Sequence, residues 1–152
     1  MKENSGNDND NLRRDTQLRD TIAYRLIQTM NRMVKPFMEE HSKRFSLTLS
    51  EWRVINALAA NPMFSGEEIA RELHMEKMTV SRSLRSLEKT GRVMHRKDSS
   101  NRKRNQWTLT QTGWELFDSL APMALIHQEE FMSVLTTRER DQLFRLLNKL
   151  AR

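Results

Sequence analysis

Residues 65–110 restrict the fold more than any other part of this sequence, because hydrophobic spacing changes there from helical to strand-like. Apolar residues recur at intervals of three and four as far as Leu87, which predicts two short helices, the second at about residues 76–90. Gly91 follows, where a glycine commonly ends a helix. Two strand-like runs, residues 92–96 and 105–109, then flank a polar basic loop. The stretch predicts helix, helix and antiparallel hairpin.

Sequences of the form Ser/Thr-x-x-Glu indicate where several helices begin. They start at Thr48, Ser65 and Thr136, and in each of these capping boxes the two side chains bond to free backbone amides of the first turn. Thr110-Gln-Thr-Gly also begins a long helical pattern. With only four glycines and three prolines the chain has few turn residues. We therefore predict a mainly α fold with a small β-hairpin.

A polar N-terminal segment and two prolines bear on where the predicted helices begin and whether they are straight. Residues 1–17 contain almost no apolar side chains and are predicted to form a disordered tail. Helical spacing begins near residue 18, and Pro36 is expected to kink or divide that first helix, as Pro122 is expected to bend the long helix after Thr110. No apolar run approaches the ~20 residues of a membrane span, and no signal core is seen. We expect a cytoplasmic protein.

Positive charge is concentrated in the stretch that also contains the hairpin. Between residues 71 and 104 eleven lysines and arginines stand against four acidic residues, a net charge of +7, whereas the whole chain carries +6. A surface of this kind suits a polyanion such as double-stranded DNA. The chain has no cysteine, which excludes disulfides and cysteine zinc ligands.

The second helix of the stretch has two distinct faces. At 100° per residue Val80, Leu84 and Leu87 point to the core, and arginines with a methionine and small hydroxyl residues lie on the other side. Such a face suits the major groove, although an amphipathic surface helix with solvated arginines is the alternative reading. The predicted DNA contacts are Lys77, Met78, Thr79, Ser81, Arg82 and Arg85 on the helix and Arg96, Arg102, Lys103 and Arg104 on the hairpin.

Together these residues resemble the MarR family of bacterial winged helix-turn-helix transcriptional regulators. The resemblance covers about residues 18–150. The residues that carry it are Leu49, Trp52, Arg53 and Val54, then Glu68, Ile69, Ala70 and Leu73, then the run from Lys77 to Arg82, then Leu87, Glu88 and Gly91, and finally Arg102, Lys103, Thr108, Leu109, Thr110 and Gly113.

The resemblance implies an architecture and a mode of action. A DNA-binding lobe at residues 47–110 would lie between an N-terminal dimerisation helix at 18–46 and C-terminal dimerisation helices at 111–152. The homodimer would bind a pseudo-palindromic operator, usually as a repressor released by a small, often aromatic or phenolic, effector. The candidate effector contacts are Met33, Phe37, His41, Trp52 and Trp114, for which an ordinary place in the core is the alternative.

Two positions depart from the family pattern, and two other functions stay open. Asn101 replaces the usual aspartate before the hairpin arginine, and Met78 replaces a small residue; both changes bear on the operator sequence. A protein-interaction module or a non-specific architectural nucleic-acid binder would also explain a basic winged helix. We expect no enzymatic activity, because neither a phosphate-binding glycine loop nor a nucleophile elbow is present. The four scattered histidines predict no metal site, and no cofactor is expected.

Overall fold

A computed structural model describes residues 18–99, 101 and 104–151 of the chain. It divides into two compact units between Phe37 and Met38. The helices and strands follow one another in the predicted order: α1 (Ile22–Phe45), α2 (Leu49–Ala60), α3 (Gly66–Glu72), α4 (Lys77–Lys89), β1 (Val93–Lys97), β2 (Asn105–Leu109), α5 (Gln111–Met132) and α6 (Thr137–Leu150). The mainly α fold with one small hairpin is thereby confirmed. The predicted tail, residues 1–17, lies outside the described residues.

The two interior prolines do not divide their helices. Pro36 lies within α1 and Pro122 within α5, and each helix is continuous across its proline. The expectation that Pro36 could split the first helix is therefore wrong. A proline removes a single donor N–H from the ladder, and the hydrogen bonds of the turns on both sides hold a helix of this length together.

The core of the second unit is built around α2. Val54, Ile55 and Leu58 are fully buried there, as are Ile69 of α3 and Leu87 of α4, and α2 contacts both of these helices. Each such side chain contributes about 1.5–3 kcal/mol relative to an exposed position. This core therefore fixes α3 and α4 against one supporting helix.

The three predicted capping boxes are confirmed. Thr48, Ser65 and Thr136 are the N-caps of α2, α3 and α6, and in each box the side chain and the backbone bonds of both partners are present. The carboxylate of Glu139 accepts from the Thr136 backbone N–H at 2.8 Å. This hydrogen bond lowers the pKa of Glu139 from its ordinary value.

The hairpin, residues 93–109, begins one residue later than predicted. Gly91 adopts a positive φ of 68°, a region that glycine enters at no steric cost. Arg92 then donates its backbone N–H to Leu87 O at 2.9 Å, so it closes the end of α4 instead of starting the strand. The register pairs Val93 with Leu109 and Lys97 with Asn105.

A close junction connects the hairpin to α5. Thr110 donates its N–H to Arg92 O at 3.1 Å, and its hydroxyl accepts from Gly113 N at 3.1 Å as the N-cap of α5. A Cβ on Gly113 would lie 2.0 Å from Arg92 O. The Leu-Thr-x-x-Gly sequence thus has a physical reason: threonine caps the helix, and glycine allows the backbone of Arg92 to approach.

Large apolar side chains remain exposed at both ends of the chain. On α1 they are Ile22, Leu26, Ile27 and Met30, near the end of α5 Leu125 and Ile126, and on α6 Phe144, Leu146, Leu147 and Leu150. Helix α6 has no buried residue at all. Within the described ranges, no helix is both long and apolar enough to cross a bilayer.

Candidate nucleic-acid interface

Helices α3 and α4 form a helix-turn-helix. The turn between them contains His74, whose φ is 48°, and Met75, whose N–H returns to Ala70 O at 2.9 Å. Ile69 and Ala70 of α3 are buried, as are Val80, Leu84 and Leu87 of α4. The second helix is therefore held firmly along one side only.

The other side of α4 faces solvent. Met78 is 64% exposed, and Arg82 and Arg85 are exposed, while Val80, Leu84 and Leu87 are at most 2% exposed. Thr79 and Ser81 lie half-buried at the edge of this face. The predicted division into an inward and an outward face is thus confirmed. Arginines and small hydroxyl residues on an exposed helix can reach base edges and phosphates in a major groove.

Lys77 is exposed at the start of α4, but it is already paired. Its Nζ lies 2.8 Å from Glu67 Oε1 on α3. The hydrogen bond from Lys77 lowers the pKa of Glu67, so the carboxylate of Glu67 is ionised at neutral pH. A phosphate that binds Lys77 would compete with Glu67 for its ammonium group.

The hairpin presents its charges unevenly. Arg96 and Lys97 of β1 are exposed, whereas Asp98 is buried and donates its N–H to Arg104 O at 3.0 Å. Arg102 and Lys103 lie outside the described residues. Of the four hairpin residues predicted to contact DNA, Arg96 and Arg104 can therefore be located.

Arg104 is directed back toward the helix-turn-helix. Its Nη2 donates to Ser65 Oγ at 2.8 Å and lies 3.2 Å from Glu68 Oε1. Its side chain is 39% exposed. The sequence suggested a clamp on DNA, and no local pattern indicated this pairing because the partners are more than thirty positions apart.

A groove of about 520 Å³ lies between α3, α4 and the hairpin. Met78, Leu84 and Trp107 contribute its apolar lining. At one wall His95 Nδ1 lies 2.6 Å from Glu88 Oε1, and the His95 and Trp107 rings are 4.8 Å apart. Glu88, His95 and Trp107 are not among the residues predicted to contact DNA, although the strand register places His95 opposite Trp107.

The candidate effector residues are distributed over both units. Met33 is half-buried and Phe37 buried in the first unit. In the second unit His41 and Trp52 are buried, and Trp114 is half-buried. The Trp52 ring stacks on Phe117 at 6.1 Å, and Trp114 meets Phe117 edge-on at 5.8 Å. This brings the two tryptophans together around one phenylalanine.

No metal centre is evident in the described ranges. There, no three histidine, aspartate or glutamate side chains converge in the way a bound ion requires.

Comparison with known proteins agrees with this geometry. The sequence model of the MarR family matches residues 45–104. An uncharacterised HTH-type transcriptional regulator of Bacillus cereus is 28% identical over 138 residues, 90% of this chain and 91% of the relative. BpsR of Bordetella bronchiseptica, whose DNA binding is regulated by 6-hydroxynicotinic acid, has a TM-score of 0.79 at 21% identity, covering 88% of this chain and 94% of that one. The repressor CouR, solved on a 23-mer DNA duplex, has a TM-score of 0.78 at 24% identity, covering 90% and 96%.

The fold and the exposed recognition face define a winged helix-turn-helix DNA-binding protein. Residues 45–104 match the MarR family of regulators, and over most of its length the chain is similar to HTH-type transcriptional regulators.

Proposed function

We propose that this regulator is a repressor that binds a pseudo-palindromic operator as a homodimer and leaves it when a small aromatic or phenolic ligand binds. The observation that carries the DNA-binding part is the outward face of α4, with Met78, Arg82 and Arg85 exposed over a fully buried inner face. A helix held along one side and charged on the other has the form that enters a major groove.

Each side chain of this interface has a proposed role. Arg82 and Arg85 read base edges, because a guanidinium can bond to guanine O6 and N7 together. Met78 contacts a thymine methyl, and Thr79 and Ser81 bond to a base or a phosphate. Lys77 leaves Glu67 and binds a phosphate of the DNA in its place. On the hairpin, Arg96, Arg102 and Lys103 supply charge to the phosphates or the minor groove.

The apolar surfaces at the two ends of the chain support the dimer. Exposed isoleucine, leucine and phenylalanine side chains are grouped on α1, on the end of α5 and on α6. Apolar helix faces of this kind are usually covered in an oligomer. We assign residues 18–46 and 111–152 to dimerisation and 47–110 to DNA binding. A two-fold axis then makes the two α4 helices read equivalent half-sites.

The effector part of the proposal is supported by aromatic side chains and by a relative. Trp52 and Trp114 meet at Phe117, and aromatic side chains with few polar groups commonly line sites for small aromatic ligands. BpsR, of the same fold, is regulated by 6-hydroxynicotinic acid, a hydroxylated aromatic acid. Met33, Phe37, His41, Trp52 and Trp114 remain the proposed ligand contacts.

The DNA-binding assignment can be tested with one substitution and its control. Arg82→Ala should weaken binding to the operator by about 1–3 kcal/mol, with most of the loss tied to one base pair. Binding is measured by fluorescence anisotropy on DNA from upstream of the reading frame and on single-base variants of the site. Arg138→Ala, which removes the same charge from exposed α6, is the control.

The outcome separates three possibilities. Equal affinity and selectivity for Arg82→Ala and the unaltered protein would refute the reading role of α4. Tight binding without sequence preference in the unaltered protein would indicate an architectural nucleic-acid binder. If no DNA is bound at low salt, a protein-interaction module becomes the better explanation of the basic face.

A further inference from the structure

Arg104 occupies the point where the hairpin meets the helix-turn-helix. Its Nη2 bonds to Ser65 Oγ at 2.8 Å and lies 3.2 Å from Glu68 Oε1. Its backbone N–H donates to Asn101 O at 2.8 Å, and its carbonyl accepts from Asp98 N at 3.0 Å. One residue therefore connects the hairpin loop to the first turn of α3.

Backbone bonds tie the same two elements further along β2. Trp107 N donates to Phe64 O at 2.9 Å, Met63 N donates to Trp107 O at 2.9 Å, and Ser65 forms a bridge with Gln106. On the side of the hairpin loop, Gln106 is the last residue of β2 that takes part in these backbone contacts. Arg104, two residues further out, continues the connection with its side chain.

The carboxylate of Glu68 is shared between the helix cap and Arg104. Its Oε2 accepts from the Ser65 backbone N–H and from Ser65 Oγ, each at 2.8 Å, and its Oε1 faces the guanidinium. The bonds from Ser65, and then the charge of Arg104, lower the pKa of Glu68. Glu68 is ionised at neutral pH and compensates the charge of Arg104 within the protein.

This arrangement does not suit a direct contact with a phosphate. To reach one, Arg104 would have to give up a charge-assisted contact with Glu68 and a hydrogen bond with Ser65. The exposed arginine of β1, Arg96, pairs in register with Gln106 and is free to face outward. The position of that strand relative to α4 depends both on the contact of His95 with Glu88 and on how the hairpin is fixed to α3.

We propose that Arg104 is a positioning residue. Through Ser65 and Glu68 it holds the hairpin at a set distance from α4, so that the hairpin and α4 reach DNA together. Arg104 does not itself bind a phosphate. The proposal rests on the proposed function in that it assumes α4 and the hairpin bind one operator half-site.

Glu68→Gln distinguishes positioning from direct contact, because the two roles predict changes of opposite sign. If Arg104 bound a phosphate, removing Glu68's charge would free the guanidinium and reduce repulsion of DNA, so affinity would rise. If Arg104 positions the hairpin, the substitution weakens operator binding by up to about fivefold, the contribution of a partly exposed ion pair. Glutamine at this position of a capping box still caps α3, so the fold is retained.

Glu67→Gln is the matched control. Glu67 is the adjacent residue and carries the same charge, but its direct partner is Lys77 and not Arg104. Its substitution frees Lys77 and removes one negative charge, so operator affinity should stay the same or rise. Thermal unfolding of each variant is measured alongside, and equal midpoints show that a change in affinity is not a loss of folding.

A double-mutant cycle with Arg104→Gln completes the test. Positioning predicts that Arg104→Gln weakens binding in the unaltered protein but has little further effect once Glu68→Gln is present. Tighter binding by Glu68→Gln, or an undiminished effect of Arg104→Gln in that background, would overturn the assignment. If the unaltered protein binds no DNA, the proposed function itself fails, and the role of Arg104 fails with it.

Discussion

Gly113→Ala should destabilise the folded chain by about 2–4 kcal/mol, because the structure leaves no room for a methyl group at this position. A Cβ there would lie 2.0 Å from the backbone oxygen of Arg92, and contacts below 3.0 Å are essentially never seen. Helix α5 and Arg92 would have to separate by about 1 Å, an overpacking that costs about 1–3 kcal/mol. The separation would also stretch the bond from Thr110 N to Arg92 O, now 3.1 Å, worth about 1 kcal/mol.

Chemical and thermal unfolding measure this loss. For a chain of this size each kcal/mol lowers the midpoint by about 2–4 °C, so a fall of roughly 4–16 °C is expected. Gly66→Ala is the control: its added Cβ would meet only Leu84 Cδ1, at an ordinary 3.5 Å, and the change should be neutral or stabilise by up to about 1 kcal/mol. Protein concentration is held constant, because a dimer's midpoint depends on it. A midpoint for Gly113→Ala equal to that of Gly66→Ala would refute the reasoning about the junction.

Three further predictions concern acid stability, assembly and the effector. The folded-state pKa of Glu139 lies below its ordinary value of 4.5, so its charge stabilises the fold above that pH and the contribution is lost as pH falls through the folded pKa. In Glu139→Gln the midpoint of urea unfolding should therefore change less as the pH is lowered, and the same pH dependence as in the unaltered protein would count against the cap. Phe144 is 67% exposed, so Phe144→Glu should leave the fold intact and shift light-scattering masses from twice 18.1 kDa toward the single chain, whereas an unaffected dimer would remove α6 from the interface. Titration with 6-hydroxynicotinic acid and related hydroxylated aromatic acids should change the tryptophan fluorescence and lower the affinity for the operator. The fluorescence change should be smaller in Trp52→Phe. If none of these acids changes either the fluorescence or the affinity, the effector site is wrong.

Most helix boundaries could be predicted from the sequence, because they depend on interactions between residues three or four positions apart. The capping boxes at Thr48, Ser65 and Thr136 each begin a helix as expected. The spacing of Val80, Leu84 and Leu87 identified the inner face of α4 and thereby its outer face. Pro36 does not divide α1, because the hydrogen bonds of the adjacent turns keep the helix continuous across one missing N–H.

The tertiary structure decided how distant charges are paired. Arg104 looked like one more cation of a basic loop, but it meets Ser65 and Glu68 at the start of α3. Glu88 meets His95 only because Gly91 turns the chain back and the hairpin register brings His95 onto the side facing α4. Spacing along the chain reports which face of an element is apolar. It does not report which element will pack against that face, since this depends on contacts between residues far apart in sequence.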